Sequence, residues 1–343
     1  MKRTLGLAVA TALLAAGLSA CSTGSTTEAG EPAKGGSPSG ADPDAFPVTI
    51  EHAFGKTPIE SEPTRVATLG WTDQDHVLAL GVVPVGATKL TWGGNDAGSS
   101  DWFDAELEEL GGEAPVRYDD ADGAPVAEVA KLAPDLILAT NSGLTEKEYE
   151  KLSEIAPVVA YPEAPWVTPW RDSFEMVAKA LGRTELAEEV LEETEAEIEA
   201  AQEEFPELQG TSFLFASLDP TDLSQISLYG PEDPRVRILE DFGMTSADVL
   251  GDIVPDGEFY GSISAEKAAT LESDLLVSYA ETPDDVKMLQ KHPLVGRIPA
   301  LKAGNVYAEV DKHVGLAVTN PTPLSVPFVV EHFLPSLADA APQ

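Results

Sequence analysis

The stretch from Thr184 to Phe205 sets the terms for the rest of this chain. A stripe runs through Leu186, Val190, Thr194, Ile198, Ala201 and Phe205, in steps of four, four, four, three and four. That spacing lines one face of a 3.6-residue helix. Most other positions are acidic or Ala, among them Glu185, Glu188, Glu189, Glu192, Glu193, Glu195, Glu197 and Glu199. Thr184 suits an N-cap, and Pro206 follows the last stripe residue. Such a helix would be roughly 33 Å long, about the width of a small domain. An ordinary amphipathic surface helix would share the pattern. The flanks decide between the two, because strands and helices alternate on both sides. The stretch therefore reads as a single bridge between two α/β lobes.

A chain of 343 residues suits two domains better than one. Hydrophobic residues make up 43%, enough for real cores. The charge is strongly acidic, with 59 Asp and Glu against 21 Lys and Arg, a formal net −38. Such a surface repels phosphate backbones and anionic lipid, so a nucleic-acid partner is not expected.

The N-terminus is the most specific segment. Met1-Lys2-Arg3 is basic, Leu5 to Leu18 is mostly apolar but short for a membrane span, and Leu18-Ser19-Ala20-Cys21 ends the run. This resembles the bacterial lipoprotein signal, in which the Cys is lipidated and becomes the new N-terminus. An ordinary secretory signal with an incidental Cys is the alternative. Cys21 is the only cysteine, so internal disulfides are excluded. One acyl chain anchors only marginally. The resemblance implies a multi-chain lipid on Cys21. Residues 1–20 thus read as a signal peptide and 21–46 as a flexible tether rich in Gly, Ser, Thr, Pro, Ala and Glu.

In the first lobe, 47–183, strands are expected at 65–70, 82–86, 135–139 and 158–161, with a short edge strand at 48–50. Helices are expected at 72–80, 126–132, 145–155 and 166–181, with a Gly-rich loop over 89–101. The bridge occupies 184–206. The second lobe, 207–343, repeats the alternation, with strands at 211–217, 226–229, 274–278 and 305–308, and helices at 235–242, 264–271, 283–290 and 323–338. Crossovers of about ten residues between strands require parallel pairing. The segments 128–139 and 266–280 echo each other, each a helix with an early acid leading into a buried strand.

Five segments, RVATLGWTDQDHVLALGVVPVG, PDLILATNSG, LSEIAPVVAYPEAPW, DPRVRILEDFG and SAEKAATLESDLLV, resemble the iron-siderophore and cobalamin binding proteins of bacterial ABC importers. The likeness covers about 47–338. It implies the type III periplasmic binding protein fold: two Rossmann-like lobes with parallel-rich sheets, one joining helix and little hinge motion. It also implies a monomer, lipid-anchored at the outer face of the cytoplasmic membrane, that delivers a ferric siderophore to a permease and its ATPase. Haem, cobalamin or metal-ion binding on the same fold, or envelope sensing without transport, are the competing readings.

The resemblance further implies a permease-docking Glu on each lobe. The pattern S-x-E is met by Ser264-Ala265-Glu266. In the first lobe the usual position, seven residues before the Pro of P-D-L, is Ala127, and the acid is Glu128. One residue rotates a helical side chain by about 100°. Either acid is also what a helix start favours through its macrodipole.

Ligand residues belong at the carboxyl ends of strands. That rule selects Trp71, Trp92, Asn141, Trp166 and Trp170 in the first lobe, and Tyr279 with Arg235 or Arg237 in the second; the resemblance adds Tyr260, four residues before Ser264, where the family often has an aromatic. Aromatic rings offer flat apolar contact, and Arg offers charge-assisted bonds to an anionic chelate. Trp is also a common core residue, and Arg237 could pair with Glu240 or Asp241 on its own helix. No G-x-S-x-G elbow, H-E-x-x-H or P-loop occurs, so no enzyme is expected. The five His, His52, His76, His292, His313 and His332, are far apart in sequence, whereas a naked-metal receptor would want several converging with a carboxylate. His76 reads as structural; His313 could face the cleft.

Overall fold

A computed structural model describes residues 40–218 and 222–342. The signal peptide, Cys21 and the tether up to residue 39 lie outside the described residues.

The described chain opens with an antiparallel hairpin, β1 (Val48–His52) and β2 (Gly55–Ile59). The first lobe follows as β3 (Val66–Thr68), α1 (Asp73–Ala79), β4 (Gly86–Thr88), α2 (Asp101–Glu109), β5 (Val116–Tyr118), α3 (Val126–Lys131), β6 (Leu136–Ala139), α4 (Glu146–Ser153), β7 (Val158–Ala160) and α5 (Trp170–Leu181). Its five strands are all parallel, in the order β5-β4-β3-β6-β7. The run LILA of β6 is buried throughout, as a central parallel strand covered on both faces must be. Gly182 ends α5 in the left-handed conformation.

The bridge, α6 (Thr184–Glu204), buries Ala187, Thr194, Ile198 and Ala201 and half-buries Leu186, Val190 and Phe205. The stripe thus faces protein, as its period requires. Its N-terminus is capped from outside. Asp42 accepts from Thr184 N at 2.6 Å and Glu185 N at 3.1 Å. The expected tether therefore ends sooner than residue 46: Asp42 N also bonds Gly182 O at 2.7 Å, and Phe46 packs on the first-lobe core.

The second lobe continues as β8 (Ser212–Ser217), β9 (Gln225–Tyr229), α7 (Pro234–Asp241), β10 (Thr245–Ser246), β11 (Tyr260–Ser264), β12 (Leu275–Tyr279), α8 (Pro283–Lys291), α9 (Pro299–Ala303), β13 (Val306–Glu309), α10 (Lys312–Thr319), α11 (Val326–His332) and α12 (Leu334–Ala340). The strand order is β11-β9-β8-β12-β13, with β10 beside β8. Here β9 runs antiparallel to β8 and β11 antiparallel to β9, so this sheet is mixed.

The stretch 101–118, where no element is expected from the sequence, holds α2 and β5; Ser100 caps α2 by accepting from Phe103 N. Two expectations need correction. The segment 264–271 is a 3-10 helix, Ala265–Thr270. The single closing helix is instead α11 and α12, each with a Pro in its first turn, where a missing N–H costs nothing.

The lobes share more than the bridge. One apolar cluster joins Leu78, Trp102 and Phe103 of the first lobe to Phe213, Leu316 and Phe333 of the second. Asp75 on α1 accepts from the Trp102 indole at 2.7 Å and from Thr322 at 3.1 Å.

Candidate functional site

Above that sealed floor the seam opens into two chambers. The larger, of about 510 Å³, is walled by Trp92, Tyr229, Tyr279, Arg235, Glu309 and Thr319, among others. The smaller, of about 290 Å³, is walled by Trp71, Asn141, Trp166, Phe259, Asn320 and, again, Arg235 and Thr319. Arg235 and Thr319 line both chambers. Cavities of this size suit small molecules and cofactors.

The first-lobe wall is held by a buried polar knot. Asp73 accepts from Thr140 N at 3.1 Å, and Thr140 Oγ1 lies 2.6 Å from Ser173 Oγ. Thr168 donates to Thr140 O at 2.8 Å. This ties together the turns that carry Trp71, Asn141 and Trp166. Burial pushes the Asp73 carboxyl above its ordinary range, against the bonds from Thr140. The Trp71 indole bonds Asp120. Asn141 Oδ1 and Asn320 Nδ2, both in the smaller chamber, have no protein partner. Both atoms are buried beneath the chamber lining.

The second-lobe wall is built on charge. Asp233 caps α7, accepting from Arg235 N at 2.9 Å. The same carboxylate takes Arg235 Nε and Nη2 at 2.7 Å each. The guanidinium lies over the Tyr229 ring, 3.6 Å from its centroid. Burial alone would lower the Arg235 pKa; the paired bonds from Asp233 hold it above its usual value. Tyr279 donates to Gly315 O at 3.2 Å and lies 2.7 Å from Thr319 Oγ1. Its ring packs against Trp92 and Phe215. A Cβ on Gly315 would sit 2.9 Å from Trp92 and 3.0 Å from Tyr279, so glycine is what lets both rings approach. Glu309 is buried and accepts from Tyr307 OH and from Asp311 N.

Of the nine residues expected at the ligand, six line the chambers: Trp71, Trp92, Asn141, Trp166, Arg235 and Tyr279. Three do not. Trp170 is buried and donates to Asp241 at 3.2 Å, beneath Arg171. Arg237 bonds Val167 O at 3.1 Å and Glu232, not Glu240 or Asp241, so it staples the lobes. Tyr260 is 49% exposed on β11 and stacks on Phe259. His313 is likewise committed: Nδ1 donates to Gly93 O at 2.7 Å and Nε2 accepts from Asp101 N at 3.4 Å. Gly93 (φ +72°) lies so close to α10 that a Cβ would meet Lys312 O at 2.2 Å. His76 is fully buried against Phe174, and neither ring nitrogen has a hydrogen-bond partner, so it is not the satisfied histidine expected.

Sequence reasoning missed Tyr229, Phe259, Glu309, Lys312 and Thr319. Tyr229 closes an expected strand, so the rule that chose Tyr279 could also have chosen it. Lys312 and Thr319 lie on α10, which carries no clear periodic signal.

Two parallel-rich α/β lobes, one joining helix and a cavity between them define a two-lobed binding-protein architecture. Residues 66–310 match the Periplasmic binding protein family, and the chain belongs to it. The crystal structure of Streptococcus pneumoniae PiaA in complex with ferrichrome is 37% identical, with a TM-score of 0.81, over 85% of this chain and 98% of that one. The probable siderophore-binding lipoprotein YfiY of Bacillus subtilis is 32% identical over 144 residues, 42% of this chain and 41% of that protein. The aligned part thus spans less than half of YfiY. The ferric enterobactin-binding periplasmic protein FepB of Escherichia coli is 26% identical over 77% of this chain and 84% of its own length.

Proposed function

We propose that this chain is the extracytoplasmic receptor of an ABC importer, taking a ferric siderophore into the two-chambered cavity and passing it to a permease coupled to an ATPase. The observation that carries the reading is the cavity itself: Trp71, Trp92, Trp166, Tyr229, Phe259 and Tyr279 line its chambers, and the partly buried Arg235 faces both. Broad aromatic walls suit the organic shell of a chelate, and the few polar groups orient it. The likeness to a ferrichrome complex and to siderophore-binding relatives supports it.

Binding and release suffice for this role, with no catalytic step. Trp71, Trp92, Asn141, Trp166, Arg235 and Tyr279 contact the ligand. Cys21 carries the lipid that holds a monomer at the outer face of the cytoplasmic membrane. Glu128 and Glu266 dock on the permease; both are exposed, at the starts of α3 and the 3-10 helix. Charge pairs at such a rim give orientation and on-rate more than affinity. Tryptophan fluorescence titration with ferric hydroxamates, ferric catecholates, haem and cobalamin tests the proposal. Saturable quenching by a ferric siderophore is expected; quenching by none of the siderophores overturns it.

A further inference from the structure

We infer that the cavity selects a ferric chelate with no net negative charge, a tris-hydroxamate in preference to a tris-catecholate. The inference rests on the reading that a ferric siderophore is the ligand.

The charges on the walls are few and already paired. Among the described residues, the two chambers present only Arg235 and Lys312 as cations. Arg235 is held by Asp233, at 2.7 Å, and Lys312 by Glu281, at 2.9 Å. Asp285 and Glu309 remain. Asp285 takes backbone and hydroxyl bonds from Thr282 in the capping box of α8, and these hold its carboxyl below the usual range, so it stays ionised. Four carboxylates stand against two cations, a formal −2.

Three singly charged hydroxamates cancel the charge of ferric iron; three doubly charged catecholates leave the complex trianionic. A trianion would meet no unpaired cation here and would face uncompensated carboxylates in a partly desolvated site. A neutral complex avoids that repulsion and still gains the apolar contact of Trp92, Tyr229 and Tyr279. The chain's net −38 adds long-range repulsion of the same sign, screened beyond roughly 10 Å at moderate salt.

The test is calorimetric titration of the mature protein with ferrichrome, a neutral tris-hydroxamate, and ferric enterobactin, a tris-catecholate, at low and high salt. Ferrichrome is expected to bind at least about tenfold more tightly at low salt, with the gap narrowing as salt rises. Glu281→Gln frees Lys312 at an exposed position and leaves the core intact; Glu309→Gln removes the buried carboxylate. Each should strengthen catecholate binding several-fold more than hydroxamate binding. Equal or tighter catecholate binding by the wild type overturns the inference, as does a gap that neither variant narrows. Failure of both chelates to bind overturns the inference; the proposed function falls only if no ferric siderophore of the fluorescence panel binds either.

Discussion

The two walls of the cavity solve the same problem with different chemistry. The first-lobe wall presents neutral rings and an amide, Trp71, Trp166 and Asn141, fixed from behind by the Asp73–Thr140–Ser173 knot. The second-lobe wall puts its charges at the surface of the cavity itself: Asp233 and Arg235, Glu281 and Lys312, Glu309. The difference follows from the sheets. All strands of the first are parallel, so turns leave it side by side and can be tied together underneath. The second is mixed, and its lining comes from strand ends, a loop and the helices α7, α8 and α10, each bringing its own capping or paired carboxylate. Shape is therefore assigned to one wall and charge selection to the other.

The most damaging way to break this division is to orphan Arg235. Asp233→Ala should cost about 3–5 kcal/mol, because a buried guanidinium loses its partner, and abolish ligand binding; urea unfolding and titration read both. The matching first-wall change, Asp73→Ala, should cost less, about 1–3 kcal/mol, since neutral donors are stranded. Equal losses would erase the contrast between the walls.

Next in size is the ring pair that spans the seam. Trp92→Ala removes a wall of the larger chamber and the packing against Tyr279, and should weaken ligand binding by roughly tenfold to a hundredfold. Trp170→Ala, at a residue that lies off the cavity, should lower stability with less effect on affinity. If Trp170→Ala weakened binding as much as Trp92→Ala, the reassignment of Trp170 would be wrong.

Behind the cavity, neighbouring residues on α1 give opposite pH dependences. Burial raises the Asp75 carboxyl from 3.8 to about 7 despite its bonds from Trp102 and Thr322. Unfolding ionises it more readily, so its contribution is lost as pH rises from about 4 toward 7, at up to about 1.4 kcal/mol per pH unit. Burial lowers His76 from 6.5 to about 3, so its contribution is lost as pH falls from about 6.5 toward 3. Asp75→Asn should flatten the first limb and His76→Leu the second, read from unfolding midpoints across pH 4 to 8. An unchanged profile in either variant would refute the corresponding assignment.

The smallest expected effects concern the rim. Glu128→Ala and Glu266→Ala should leave stability within about 0.5 kcal/mol and ligand affinity unaltered, while reducing uptake in whole cells. Normal uptake in the double variant would remove both from the docking surface.

Much of the scaffold was legible from residue order. The stripe through Val190, Thr194 and Ile198 predicted the bridge, because period 3.6 is a local property of a helix. The run DLILA predicted a buried strand, because a short continuous apolar run suits a strand covered on both faces. Short elements were less visible: β5 has three residues and β10 two, too few for any period to register. Among the nine ligand candidates, position after a strand separated cavity from core only in part. Trp166 and Trp170 lie four residues apart, yet one lines a chamber and the other is sealed against Asp241.

By itself, then, the order of residues determined two lobes, a bridging helix, an acidic surface and a cleft lined by aromatics, because propensity, periodicity and charge are carried by neighbours along the chain. Only the tertiary structure decided which rings face the cavity and which cations are already neutralised. Those facts depend on contacts such as Arg237 with Val167 and Lys312 with Glu281, made between residues distant in sequence. No local pattern encodes them, since they arise when two independently patterned sheets meet.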